Sequence, residues 1–188
     1  MNLAANNYAN IFTVHIGKDG AKSHLTFGGF NPAYMAAPNT PPNYFKIDST
    51  KETWRIETTG LMFGSTVAIK QTVTDTDVLI NSNYIVLPKD SFEEVKATIE
   101  KLHKPNVMKV STNPAHFYFE GACPTAIPDL NFTFKQTANS GVPTIYSVPA
   151  SSWLKNNNGN CDILLEKGST LFTLGKPFLE NFYSGFDI

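Results

Sequence analysis

A mostly β fold with one amphipathic helix is what this sequence predicts, on three observations. Apolar and polar residues alternate with period two through most of the chain. Phenylalanine is abundant, 14 in 188 residues, and only 16% of residues are charged, a balance that suits half-buried strands better than exposed helices. Helical spacing is clear in a single segment. The length predicts one domain over residues 1–188, large enough to bury a core without staples.

Taken in order, Ile11 to Ile16 reads as a strand, and Gly17-Lys18-Asp19-Gly20 reads as a turn into a second strand through Leu25, Thr26 and Phe27. Together they predict a hairpin, closed by a strand-ending turn at Phe27-Gly28-Gly29. Ala36 to Asn43 holds Pro38, Pro41 and Pro42, which predicts an irregular connection. Tyr44 to Ile47, Thr53 to Thr58 and Gly60 to Ile69 are further strand candidates. Lys89 to Leu102 breaks the pattern: Phe92, Val95, Ile99 and Leu102 recur at helical spacing, after Pro88 and a cap at Asp90 or Ser91. Ile127 to Phe134 returns to alternation, with Leu130, Phe132 and Phe134 on one face. Asn156 to Asn160 predicts a solvated turn. A short helix is expected over Phe178 to Phe182, after Pro177.

Composition excludes several functions. Net charge is −1 and no run of Lys or Arg exceeds two, so neither nucleic acid nor an anionic membrane surface is an expected partner. No apolar stretch is long enough to span a bilayer. His15, His24, His103 and His116 are scattered, without metal-ligand spacing to a third residue, so no metal is expected. No phosphate loop precedes a helix and no Gly-x-Ser-x-Gly elbow supports a catalytic serine. No cofactor is predicted. Asn131-Phe132-Thr133 is a glycosylation sequon, relevant only on a secretory route. The Phe117-Tyr118-Phe119 cluster reads as core or sheet surface.

Five segments, in this order, carry a family likeness: FGGFNPAYM (Phe27 to Met35), TWRIETTGLMFGS (Thr53 to Ser65), VLINSNYIVLP (Val78 to Pro88), CPTAIPDLNFTF (Cys123 to Phe134) and LFTLGKPFLENFYSGFD (Leu171 to Asp187). They resemble the C-terminal lobe of pepsin-like aspartic proteases over about Asn10 to Ile188. The resemblance implies a lobe of orthogonally packed β-sheets with one or two short helices. It also implies an acid. In that family each lobe supplies one Asp from an Asp-Thr/Ser-Gly loop, and the two carboxylates share a proton around a water.

Here the motif is degenerate. Counting without gaps from Trp54-Arg55-Ile56 to Leu87-Pro88 puts Leu79 at the Asp, followed by Ile80, with Asn81 at the Gly and Ser82 at the next hydroxyl, before Asn83. Leu79 has neither acid nor base chemistry. Asn81 is among the residues that tolerate positive φ, and Ser82 retains a hydroxyl for a cross-lobe hydrogen bond. A two-residue deletion instead puts the Asp at Asn81, an amide. A third alignment takes Asp75-Thr76-Asp77 as the remnant. It retains an acid, Asp75, but needs about four inserted residues and a charged Asp77 where Gly belongs. The plain reading of Asp75 and Asp77 is a solvated turn between strands. Leu174-Gly175 matches the element that packs beside the catalytic loop in that family.

The same resemblance implies a disulfide between Cys123 and Cys161; two buried free thiols are the reading without it. A bond there closes a loop worth roughly 3–4 kcal/mol and implies an oxidising, secretory-type compartment. Met1 to Gly17 shows no secretion signal. The chain opens where the family is leaving its N-terminal lobe and stops before the family's last strand, so a piece of a longer precursor is expected, with an independent lobe as the alternative. Three functions follow: an inactive lobe that binds another lobe, a protein subunit or an extended peptide; one half of an acid endopeptidase using Asp75; or a lobe that pairs with a second lobe through its exposed apolar surface.

Overall fold

The computed structural model describes residues 9–35, 42–65, 67–69, 74–102, 108–112, 115–135 and 144–187. Within it the chain forms two compact units, Tyr44–Pro177 and the pair of segments Met1–Asn43 and Phe178–Ile188. Both are built mainly from strands.

The smaller unit is a three-stranded antiparallel sheet. Strand β1 (Ile11–His15) runs between β2 (His24–Phe27) and β15 (Ser184–Asp187). The predicted hairpin is the β1–β2 pair, with Phe12 opposite Phe27 and His15 opposite His24. Phe12 stacks on Phe186 across the other seam, with ring centroids 4.9 Å apart. Its polar interior is a directed chain of hydrogen bonds. The Asn31 N–H donates to Tyr183 Oη at 2.6 Å, Tyr183 Oη donates to Thr13 Oγ1 at 2.7 Å, and Thr13 Oγ1 donates to the Gly29 carbonyl at 3.1 Å. That chain satisfies a fully buried Thr13 and ties the turn after β2 to the strand that ends the unit. Gly28, with φ of 83°, adopts the left-handed backbone this turn needs.

The larger unit holds two sheets. One runs β10 (Ile145–Val148), β9 (Leu130–Phe134), β3 (Trp54–Phe63), β5 (Thr74–Val78), β14 (Phe172–Leu174), β6 (Ile85–Leu87), β13 (Leu165–Lys167), with β4 (Val67–Ala68) paired to β3. The other runs β11 (Leu154–Asn157), β12 (Asn160–Ile163), β8 (Ala115–Glu120), β7 (Lys109–Thr112). The core is aromatic and aliphatic: Leu61, Phe63, Ile85, Leu87, Phe119, Leu130, Phe132, Phe172 and Leu174 are all buried. Phe63 lies close to the buried Trp153 of the short helix α2 (Ala150–Trp153). The alternation predicted for Leu130, Phe132 and Phe134 is the buried face of β9. Asn158 and Gly159 both have positive φ and close the β11–β12 hairpin, the two-residue turn that strand twist favours. Cys123 and Cys161 form a disulfide, which fastens the segment after β8 to β12.

Helix α1 (Lys89–Leu102) matches the predicted span and buries Phe92, Val95 and Ile99. Two details differ. Because the first turn begins at Lys89, with Phe92 N–H donating to the Pro88 carbonyl, Asp90 and Ser91 lie inside the helix instead of capping it. Leu102, at the last position of the helix, is more than half exposed. The predicted helix over Phe178 to Phe182 is α3 (Lys176–Leu179), starting two residues earlier and continuing as tight turns at Asn181 and Phe182.

Other expectations are corrected by the sheet. Thr53–Thr58 and Gly60–Ile69 divide differently: β3 runs on past Thr58 to Phe63, with a register shift between Thr58 and Gly60 opposite β9, and Val67–Ala68 is the short strand β4 paired back on it. Tyr44–Ile47 joins none of the sheets; its Phe45 docks edge-on to the rings of Phe134 and Tyr146. Asp75 and Asp77 are not in a turn; both lie within β5. His103 and most of the proline-rich connection fall outside the described residues.

Candidate functional site

Leu79 to Asn83, the residues singled out by counting along the sequence, occupy one loop of the larger unit, and the sheet order explains its shape. Strand β14 lies between β5 and β6, parallel to β5 and antiparallel to β6, with Leu174 opposite both Val78 and Ile85. The chain must therefore leave β5 at Val78, cross over β14 and return at Ile85. Residues 79–84 make that crossing. Leu79 N–H donates to the Leu174 carbonyl at 3.1 Å, and Lys176 N–H donates to the Ser82 carbonyl at 2.8 Å. Gly175 is buried in the crossing because a Cβ there would lie 2.5 Å from Ser82 O and closer still to Tyr84 O. The close packing of Leu174-Gly175 against the motif loop is the contact the family resemblance implied.

Within the loop, Leu79 is half-buried, and Ile80, Asn81 and Asn83 are exposed. Positive φ occurs at Asp19 and Asn158 among the described non-glycine residues and not at Asn81, so Asn81 does not stand in for glycine by adopting a left-handed backbone. Ser82 Oγ donates to the Tyr84 carbonyl at 3.0 Å and accepts from Tyr84 N–H at 3.2 Å, so its hydroxyl staples its own loop. No ionisable side chain lies between Leu79 and Tyr84.

The carboxylates nearest in sequence face a basic partner on β3. Asp77 is directly opposite Arg55 and Asp75 is opposite Glu57. Arg55 grips Asp77 bidentately, Nε to Oδ1 at 2.7 Å and Nη2 to Oδ2 at 2.9 Å, and Thr53 Oγ1 donates to the same carboxylate at 2.7 Å. The Arg55 hydrogen bonds, with Thr53 adding to them, hold the Asp77 carboxyl below the usual carboxylate range against the opposing effect of burial. Asp75 is half exposed and sits 3.7 Å from Arg55 Nη1. On the opposite face of the same strand pair, Thr58 and Thr76 are fully buried and their hydroxyls bond to each other closely. On the far edge of the sheet, burial pushes the Glu166 carboxyl up.

The structure places Leu79 to Asn83 in one loop and Asp75 and Asp77 on the strand before it, and sequence reasoning did not single out Arg55, partner of both aspartates, or Thr53, partner of Asp77. Their pairing is set by the β3–β5 register, across more than twenty residues of chain. Asn131, the sequon asparagine, lies mid-strand in β9 between β3 and β10, and its Nδ2 donates to the Gly64 carbonyl at 2.8 Å. Among the described residues no three His, Cys, Asp or Glu side chains gather to hold a metal. No described helix is long and apolar enough to cross a membrane.

The family model described as eukaryotic aspartyl protease matches residues 4–188. Cathepsin E of Mus musculus is 25% identical over 198 aligned residues, which include 99% of this chain and 46% of that protein. The chain thus spans about half the length of the curated relative it matches.

Proposed function

This chain belongs to the eukaryotic aspartyl protease family, and on that premise we propose that it is a catalytically inactive lobe serving as a structural or protein-binding subunit of a larger assembly. One observation carries the reading: where the crossing loop should present an acid, it presents Leu79, and Asn81 under the shifted alignment. Neither side chain ionises. Peptide hydrolysis by paired carboxylates needs one acid and one base sharing a proton. Asp77 is held ionised by Arg55 and is poorly suited to carrying one. Asp75 stands four residues upstream of Leu79, about 13 Å along an extended strand.

The partner class is another protease-like lobe, a protein subunit or an extended peptide bound by strand pairing. The Cys123–Cys161 disulfide supports an oxidising compartment of secretory, vacuolar or extracellular type. A second reading, one half of an active acid endopeptidase, is favoured by the chain's spanning 46% of its cathepsin E relative, which leaves room for an acid on another lobe. It requires Asp75.

Hydrolysis of haemoglobin and of a fluorogenic peptide at acid pH, by the chain alone and with a candidate second lobe, separates the two readings. No cleavage beyond that of the second lobe alone is expected. Cleavage that a pepstatin-type transition-state mimic blocks and that Asp75→Asn abolishes would establish the endopeptidase and end the inert-lobe reading.

A further inference from the structure

We infer that the β1–β2 hairpin carries a metal site independent of the protease-like loop, in which His15 and His24 together bind a divalent late-transition-metal ion, copper(II) foremost. The two residues are nine apart in sequence, but the hairpin register sets them directly opposite each other. Opposed residues on antiparallel strands have Cβ atoms about 4.5–5.5 Å apart, which puts both side chains within reach of one ion. Their ring centroids are 6.3 Å apart. An imidazole nitrogen bonds such an ion at about 2.0–2.1 Å, so two rings sharing it have centroids about 4.5 Å apart when the nitrogens are cis and about 6.5 Å apart when they are trans. The pair already stands at the far end of that range.

Tyr34 orders the rings. It stacks on His15 at 4.2 Å with planes 12° apart and lies 5.1 Å from His24. Tyr34 is itself braced edge-on by Tyr183 at 5.7 Å. Stacking engages the faces of the imidazoles and leaves the lone pairs, which lie in the ring plane, unobstructed. His24 is exposed, which gives an ion access.

The donor set selects the ion. Imidazole suits copper, zinc and nickel, and the stability order of divalent ions places copper ahead of the others. Among the described residues no further His, Cys, Asp or Glu completes the set, so water fills the remaining positions. With no hydrogen-bonded second shell to orient the rings, affinity falls below that of a closed structural site.

Copper(II) titrated into the full chain, followed by calorimetry and electron paramagnetic resonance, should show one ion with two nitrogen ligands. His15→Ala and His24→Ala should each weaken binding at least tenfold and reduce the nitrogen count. In the wild-type chain, substoichiometric copper(II) should broaden the His15 and His24 ring signals together in nuclear magnetic resonance, a measurement that needs no variant to fold. Unchanged binding in His24→Ala, a single-nitrogen spectrum, or broadening centred on His103 or His116 would overturn the assignment.

Discussion

Replacing Gly175 with alanine should be among the most damaging single-methyl changes in the larger unit. The added Cβ would lie 2.5 Å from Ser82 O, 2.8 Å from Ser82 Cβ and still nearer Tyr84 O, where ordinary contacts begin at 3.4 Å. Two backbone carbonyls would have to retreat by about 1 Å, and flexible side chains cannot absorb this. Both carbonyls are in use, Ser82 O by Lys176 N–H and Tyr84 O by Ser82 Oγ. Losing two hydrogen bonds at about 1 kcal/mol each, with overpacking of about 1–3 kcal/mol, gives a cost of about 3–5 kcal/mol. At about 2–4 °C per kcal/mol for a chain of this size, the melting temperature should fall by roughly 6–20 °C. Gly168→Ala is the comparator, because its tightest contact is a side-chain methyl, Val86 Cγ1 at 2.7 Å, and its carbonyl contacts lie at 3.4 Å. It should cost about 1–2 kcal/mol. Thermal unfolding followed by circular dichroism decides the matter. A Gly175→Ala melt within about 2 °C of wild type would refute the packing argument.

Three further outcomes follow from specific contacts. Because Arg55 lowers the Asp77 carboxyl, that pairing stabilises the fold above the ordinary carboxylate value of 3.8 and its contribution is lost as pH falls through the lower folded value. Asp77→Asn should therefore flatten the acid limb of a stability-against-pH curve measured by urea unfolding; an unchanged limb would show that the pair is not responsible. Serine at both Cys123 and Cys161, which are 38 residues apart, should cost about 4 kcal/mol in the chain-entropy model, read as a lower urea midpoint under oxidising conditions only. Equal midpoints for variant and wild type there would contradict it. Tyr183→Phe leaves the Asn31 N–H without its acceptor and should cost about 1–3 kcal/mol in the same assay, and a neutral substitution would mean that water replaces the phenol.

Where structure depends on local chemistry, the sequence was legible. The apolar face of α1 is readable because Phe92, Val95 and Ile99 recur at helical spacing, and the inner face of β9 because Leu130, Phe132 and Phe134 alternate. The turn at Asn158-Gly159 is equally local, since few other residues accept positive φ in succession. Longer-range features were not legible. The first strand candidate and the start of the second, through Phe63, are one bulged strand, β3, because its register against β9 lets the chain continue past Thr59. Tyr44–Ile47 has the aromatic and β-branched residues a strand favours, yet Phe45 finds aromatic partners and the segment joins no ladder. For the candidate site, the loop from Leu79 to Asn83 could be located by counting, while the state of Asp77 could not, because Arg55 reaches it only through strand pairing.

The amino-acid sequence by itself determined the family, and it places leucine at position 79, an identity that no folding alters. It also determined the mostly β architecture, through alternation that only a two-sided sheet can bury. Tertiary structure decided which distant residues meet: β14 inserted between β5 and β6, Arg55 on Asp77, and His15 beside His24. Register is fixed by burial of whole faces against one another, a cooperative property of the sheet that no local stretch of residues encodes.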